Sequence, residues 1–171
     1  MKSAITCTLI LSLLTAPACK APQSNTGTAS LVTETDTARL TDMVRQSGKS
    51  YVLVNFYTTY CKPCVKEMPE LLSVSHKPES PVQLILVSLD EPEVETGVVA
   101  SFLQRLRVDQ PTYRLGLAQA EPFIRRYYPD WDRSVPLNLL YAQDGRLVEV
   151  TGITSEKEVE MIINHDLTFG R

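Results

Sequence analysis

Cys61-Lys62-Pro63-Cys64 sets two thiols three residues apart, where the apolar run Val54-Asn55-Phe56-Tyr57 gives way to a helix-forming stretch. A helix N-terminus carries partial positive charge from its unpaired backbone N–H groups. A thiolate there is stabilised, so its pKa falls and it becomes a nucleophile near neutral pH. The second thiol, one helical turn on, can close a disulfide with the first. Together they are the minimal apparatus for thiol–disulfide exchange. Plainer uses of such a pair exist. A structural zinc site needs four ligands, but there is no second CxxC and the two histidines, His76 and His165, lie far off in sequence and read as surface residues. Thiolates also suit Cu(I), yet no methionine or histidine lies inside the motif, and Met68 is the nearest other sulfur.

The rest of the chain bounds where this chemistry happens. Its 171 residues allow one ordinary domain plus a leader, and 43% hydrophobic content is enough for a core without disulfide staples. Net charge is −3 with no basic run, which argues against nucleic acid as a partner. Residues 1–18 read as a secretory signal: Lys2 at the positive end, a short apolar stretch over residues 5–14, and small residues Ala16-Pro17-Ala18 before Cys19. Two readings compete. Cleavage after Ala18 leaves a free Cys19 by chance, or Cys19 is the lipidated N-terminus of a lipoprotein. One of four cysteines falls at this position, which favours lipidation. Several acyl chains on one cysteine anchor stably where a single chain binds only marginally. Residues 19–33 are then anchor and flexible tether, small and polar, and 34–171 the folded domain. Either reading exports the protein to a compartment where disulfides persist.

Periodicity orders the elements that must hold the thiols. A helix is expected over residues 35–46. Buried strands are expected at Tyr51–Tyr57 and over residues 82–89, with a helix over 61–75 between them that Pro69 should kink. An acidic loop with Glu91, Glu93 and Glu95 precedes a helix over 98–106. A short strand in 111–117 and a short helix over 121–128 follow. Strands Leu137–Ala142 and 146–150, joined through Gln143-Asp144-Gly145, form a hairpin, and a helix over 155–165 closes the chain. Strand–helix alternation implies parallel pairing, and the hairpin adds antiparallel strands. The expected fold is α/β, a mixed central sheet with helices on both faces.

The chain resembles the thioredoxin superfamily, in particular the TlpA/ResA-like branch of exported, membrane-tethered thiol–disulfide oxidoreductases. Three blocks carry the resemblance. They are Val-Asn-Phe-Tyr-Thr-Thr-Tyr-Cys-Lys-Pro-Cys-Val-Lys-Glu-Met-Pro at 54–69; the strand ending Leu86-Val87-Ser88-Leu89 with Asp90 after it; and Ser134-Val135-Pro136 followed by Asn138-Leu139-Leu140-Tyr141 and Asp144-Gly145-Arg146-Leu147-Val148. Tyr60 stands where tryptophan usually precedes the first cysteine, keeping an aromatic wall, and Leu137 stands where a small hydroxyl residue is common.

The resemblance implies a thioredoxin-like fold and assigns roles. Cys61 is the attacking thiol and the exposed member of the pair, with the Lys62 charge beside it favouring thiolate. Cys64 resolves the mixed disulfide and lies deeper. Pro63 shapes the turn and removes a backbone donor. Pro136 matches the family's cis-proline, which packs beside the dithiol, and Val135 would offer its backbone to an extended substrate. Glu67 is either near the site and influences thiol ionisation, or a solvated helix-face carboxylate. Asn55 stands where thioredoxin carries a buried acid, so proton transfer at Cys64 relies on water, Glu67 or another group. Tyr127, Tyr128 and Trp131 either line a substrate groove or, more simply, pack.

The implied activity is disulfide exchange with exported cysteine-containing proteins, apocytochrome c among them, in the reductive direction and fed by a membrane thiol reductase. No organic cofactor or metal is implied. An oxidant or isomerase remains open, as does a copper-binding protein on the same fold.

Overall fold

The computed structural model describes residues 31–170. The expected leader, Cys19 and tether residues 19–30 lie outside the described residues. The order is β1 (Val32–Glu34), α1 (Thr37–Arg45), β2 (Tyr51–Tyr57), α2 (Lys62–His76), β3 (Val82–Ser88), α3 (Thr96–Arg105), β4 (Thr112–Arg114), α4 (Leu117–Arg125), β5 (Leu137–Ala142), β6 (Leu147–Thr151) and α5 (Glu156–Phe169). The six strands form one sheet in the order β1-β4-β3-β2-β5-β6. β1, β4, β3 and β2 run parallel, whereas β5 and β6 join antiparallel. This is the expected mixed sheet, covered by helices on both faces.

Side-chain parity along β2 divides the core. Successive strand residues point to opposite faces, so Tyr51, Leu53 and Tyr57 pack with α2, α3 and α5 residues Met68, Leu71, Phe102, Leu103 and Ile163. Val52, Val54 and Phe56 pack on the other side with Leu40, Val44, Phe123 and Ile124 from α1 and α4. Every residue of β2 is buried, which explains its nearly unbroken apolar sequence. Asn55 has the parity of the α2 face, as does Asn138, its register partner on β5.

The elements depart from their sequence-based bounds in instructive places. β1 was not expected. It occupies Val32–Glu34, so the folded part begins inside the stretch to 33 read as tether, because pairing with β4 stabilises a segment whose composition is undistinguished. α4 begins at Leu117 rather than 121. Pro122 looks like a helix-start proline, but the helix is already under way, with Ala120 N–H donating to Gly116 O at 3.0 Å. α2 continues through Pro69 to His76, and α5 runs past His165 to Phe169. Both histidines lie on the surface, His76 within 3.3 Å of Asp109.

Leu139 is fully buried on β5, three residues beyond Pro136, and packs on the α1/α4 face. Leu139→Ala should destabilise the domain by about 2–5 kcal/mol through lost transfer energy and a residual cavity. Urea unfolding should give a lower midpoint at an unchanged slope.

Candidate functional site

The Cys61–Cys64 pair sits where β2 hands over to α2. Cys61 is the N-cap of α2, with extended backbone angles, and its Sγ accepts the Cys64 backbone N–H at 3.1 Å. A sulfur thus fills the role that a serine or aspartate oxygen plays at ordinary helix starts. Lys62 and Pro63 complete the first turn, where a missing proline N–H costs nothing. Cys61 and Cys64 are joined in a disulfide.

Val135 faces Cys61. Its carbonyl oxygen lies 3.4 Å from Sγ, placed to accept a hydrogen bond from the thiol when Cys61 is reduced. The Val135–Pro136 peptide is cis. Its loop is anchored by the Trp131 indole N–H, which donates to Ser134 O at 2.9 Å, and by the Ser134 N–H on Asp132 Oδ1 at 2.9 Å. Between the two loops runs a groove of about 510 Å³ lined by Thr58, Tyr60, Cys61, Lys62, Pro63, Leu89, Glu91, Leu117, Arg133, Ser134 and Val135. Of the residues singled out from sequence, Tyr60, Lys62, Pro63 and Val135 share this groove with Cys61, and Pro136 lies buried at the entry to β5. Tyr60 is 77% exposed. Cys61, at 7% exposed against 1% for Cys64, is the more accessible sulfur, though far less open than expected from sequence. Trp131 is buried and Tyr127 packs edge-on against Tyr141; neither lines the groove.

Glu67 lies one turn beyond Cys64 on α2 and is buried, not solvated. One carboxyl oxygen accepts from Asn138 Nδ2 and from the Thr154 N–H at 3.1 Å. Asn138 also donates to Gly152 O at 2.8 Å and accepts from Asn55 Nδ2 at 2.9 Å. The other Glu67 oxygen finds no partner among the described residues. Burial pushes the Glu67 carboxyl up from 4.5 to about 7, against the opposing pull of the Asn138 and Thr154 hydrogen bonds.

Sequence reasoning overlooked two residues. Asn138 was only part of a motif; the signal for its contact with Glu67 is its parity with Asn55 across the β2–β5 register. Asp90 was also passed over, although an acid closing an apolar strand invites the question of what pairs with it. Among the described residues, no group of three or more His, Cys, Asp or Glu side chains is arranged to hold a metal ion, and no helix is long and apolar enough to cross a membrane.

Comparison with known proteins places the arrangement in context. A family model described as the AhpC/TSA family matches residues 15–162. A thiol-disulfide oxidoreductase ResA from Bacillus cereus is 28% identical over 117 residues, covering 64% of this chain and 59% of the relative. A ResA from Halalkalibacterium halodurans is 34% identical over 112 residues, covering 64% and 58%. The chain therefore spans less than two thirds of the length of these relatives. Among solved structures, a thioredoxin-family thiol:disulfide interchange protein from Chlorobium tepidum superposes with a TM-score of 0.60 at 19% identity, covering 74% of this chain and 84% of that one.

The raised Glu67 carboxyl has a consequence for stability. Below pH 4.5 it is protonated in both folded and unfolded chains; as pH rises to about 7 the unfolded chain releases the proton first. The folded state therefore loses stability across that window. Glu67→Gln should remove this contribution. Chemical denaturation across the window should then show a flatter stability profile for the variant than for the wild type.

Proposed function

Because the chain belongs to the AhpC/TSA family of thioredoxin-like proteins, we propose that it is an exported thiol–disulfide oxidoreductase whose Cys61–Cys64 pair reduces disulfides in extracytoplasmic proteins. The observation that carries this reading is the Cys61 sulfur at the N-cap of α2, opening onto the groove beneath Val135. The Cys61 thiolate attacks a substrate disulfide, forming a mixed disulfide and releasing one substrate thiolate. Cys64, losing its proton, attacks Cys61 Sγ and releases the second substrate thiolate. The two electrons given to the substrate leave Cys61–Cys64 oxidised, and a membrane dithiol reductase restores the pair. Glu67, one turn from Cys64 and with a carboxyl held near neutrality, suits the role of accepting the Cys64 proton. Val135 pairs its backbone with the substrate segment, and Tyr60, Lys62 and Pro63 form the groove floor and wall. Apocytochrome c and other exported cysteine proteins fit this description of the substrate.

Direction is set by the stability of the disulfide, about 1.4 kcal/mol for each 30 mV. Equilibration of the protein with defined thiol buffers should give a potential near or below about −270 mV, the range of reductants; a value of about −120 mV would make it an oxidant and overturn the mechanism. In the same preparation, Cys64→Ala should accumulate a mixed disulfide with a substrate protein, and Cys61→Ala should form none.

Attachment at Cys19 to a bacterial membrane, on its extracytoplasmic side, completes the reading. Labelled palmitate should enter the wild-type protein and not Cys19→Ser; equal labelling would refute lipidation at that residue.

A further inference from the structure

The turn that carries Cys61 is tied to a carboxylate the exchange mechanism does not use. Asp90 is fully buried just past the end of β3. Its two oxygens accept the Thr59 backbone N–H at 3.0 and 3.1 Å, the Thr59 hydroxyl at 2.8 Å and the Ser88 hydroxyl at 2.7 Å. Its own N–H donates to Ser88 Oγ at 3.1 Å. Hydrogen bonds to an ionised acceptor are shorter and stronger than neutral ones, and they fix direction. Thr59 lies two residues before Cys61, and the Cys61 N–H closes the same turn onto Thr58 O at 3.2 Å. The segment 58–61 is therefore pinned at Thr59 to β3 and at Cys61 to itself.

We infer that Asp90 is a positioning residue for the exchange reaction, holding Thr59 so that the Cys61 sulfur stays on the Cys64 N–H and opposite the Val135 carbonyl. The inference rests on the oxidoreductase reading above. The thiolate needs that N–H: it is the local donor that stabilises sulfur charge, supplemented by the first turn of α2. If Thr59 is released, the turn relaxes, Sγ leaves its donor and the thiol becomes harder to ionise. The charge of Asp90 acts in the opposite sense, since a nearby anion disfavours a thiolate. Position and charge therefore predict shifts of opposite sign. The other charged groups near Cys61 are Lys62, Glu91 and Arg133 along the groove, with Glu67 one turn behind Cys64, whereas the Asp90 carboxylate bonds to Thr59 and Ser88.

The test is the pH profile of Cys61 alkylation by iodoacetamide in reduced full-length protein, with the modified peptide identified by mass spectrometry. Asp90→Ala should raise the midpoint by about one unit, slowing alkylation about tenfold at pH values below it. Asp90→Asn keeps an oxygen for Thr59 and an amide for the Ser88 hydroxyl but removes the charge, so its midpoint should not rise and alkylation should be at least as fast as in wild type. An Asp90→Ala profile that is unchanged or shifted downward would overturn the inference, as would Asp90→Asn shifting upward as far as Asp90→Ala. Should Asp90→Ala not fold, Thr59→Val carries the test: it removes only the hydroxyl bond and should slow alkylation roughly threefold, whereas an unchanged rate refutes the role. Failure of the underlying reading would look different, because the wild-type protein itself would neither show a lowered Cys61 midpoint nor reduce a protein disulfide.

Discussion

A single hydrogen bond organises the site: the Cys64 backbone N–H donates to the Cys61 sulfur at 3.1 Å. Geometrically it is a helix cap, and chemically it is a donor that stabilises negative charge on the sulfur once the disulfide is reduced. The two functions are the same contact, so the start of α2 and the reactivity of Cys61 cannot be altered independently. Much of the surrounding structure serves to keep that sulfur in register. β2 brings the chain to the first turn of α2, Asp90 holds the turn from the side of β3, and Trp131 holds the Val135 loop opposite.

Behind the sulfurs lies a polar patch within an otherwise apolar layer. Asn55, Asn138 and Glu67 meet on one face because strand parity sends both asparagines toward α2 and helical spacing sends Glu67 toward the sheet. Their hydrogen bonds offset part of the cost of burying a carboxyl, but one oxygen finds no partner among the described residues, and burial raises the carboxyl pKa to about 7. A buried acid with an intermediate proton affinity suits the proton transfer proposed for Cys64.

Much of this was readable from sequence because the informative features are local. The CxxC motif at a strand–helix junction, the continuous apolar strands and the Asp144-Gly145 turn each depend on neighbouring residues. Gly145 does adopt a left-handed conformation, with φ of +83°. The features that escaped are those decided by distant pairing. β1 is a strand only because β4 lies beside it, 80 residues on in register. Cys61 lies deep in part because the Val135 carbonyl, 74 residues away, sits 3.4 Å from its sulfur. The burial of Glu67 depends on Asn138, 71 residues away, and on Thr154. Residue type alone leaves such a carboxylate indistinguishable from a solvated one.

The margins of the sheet bear on how the molecule keeps company with unfolded chains. One margin is β1, only three residues long; the other is β6, which carries Glu149 and pairs with β5 through an irregular register at Leu140/Tyr141. Short strands, charge and bulges all spoil an edge as a template for a further strand. A protein with the proposed activity, exchange with extended cysteine peptides, needs such discouragement more than most. Recruitment of a passing chain into the sheet would propagate aggregation, whereas the docking proposed at the Val135 backbone lies in a loop, where pairing stays short and local.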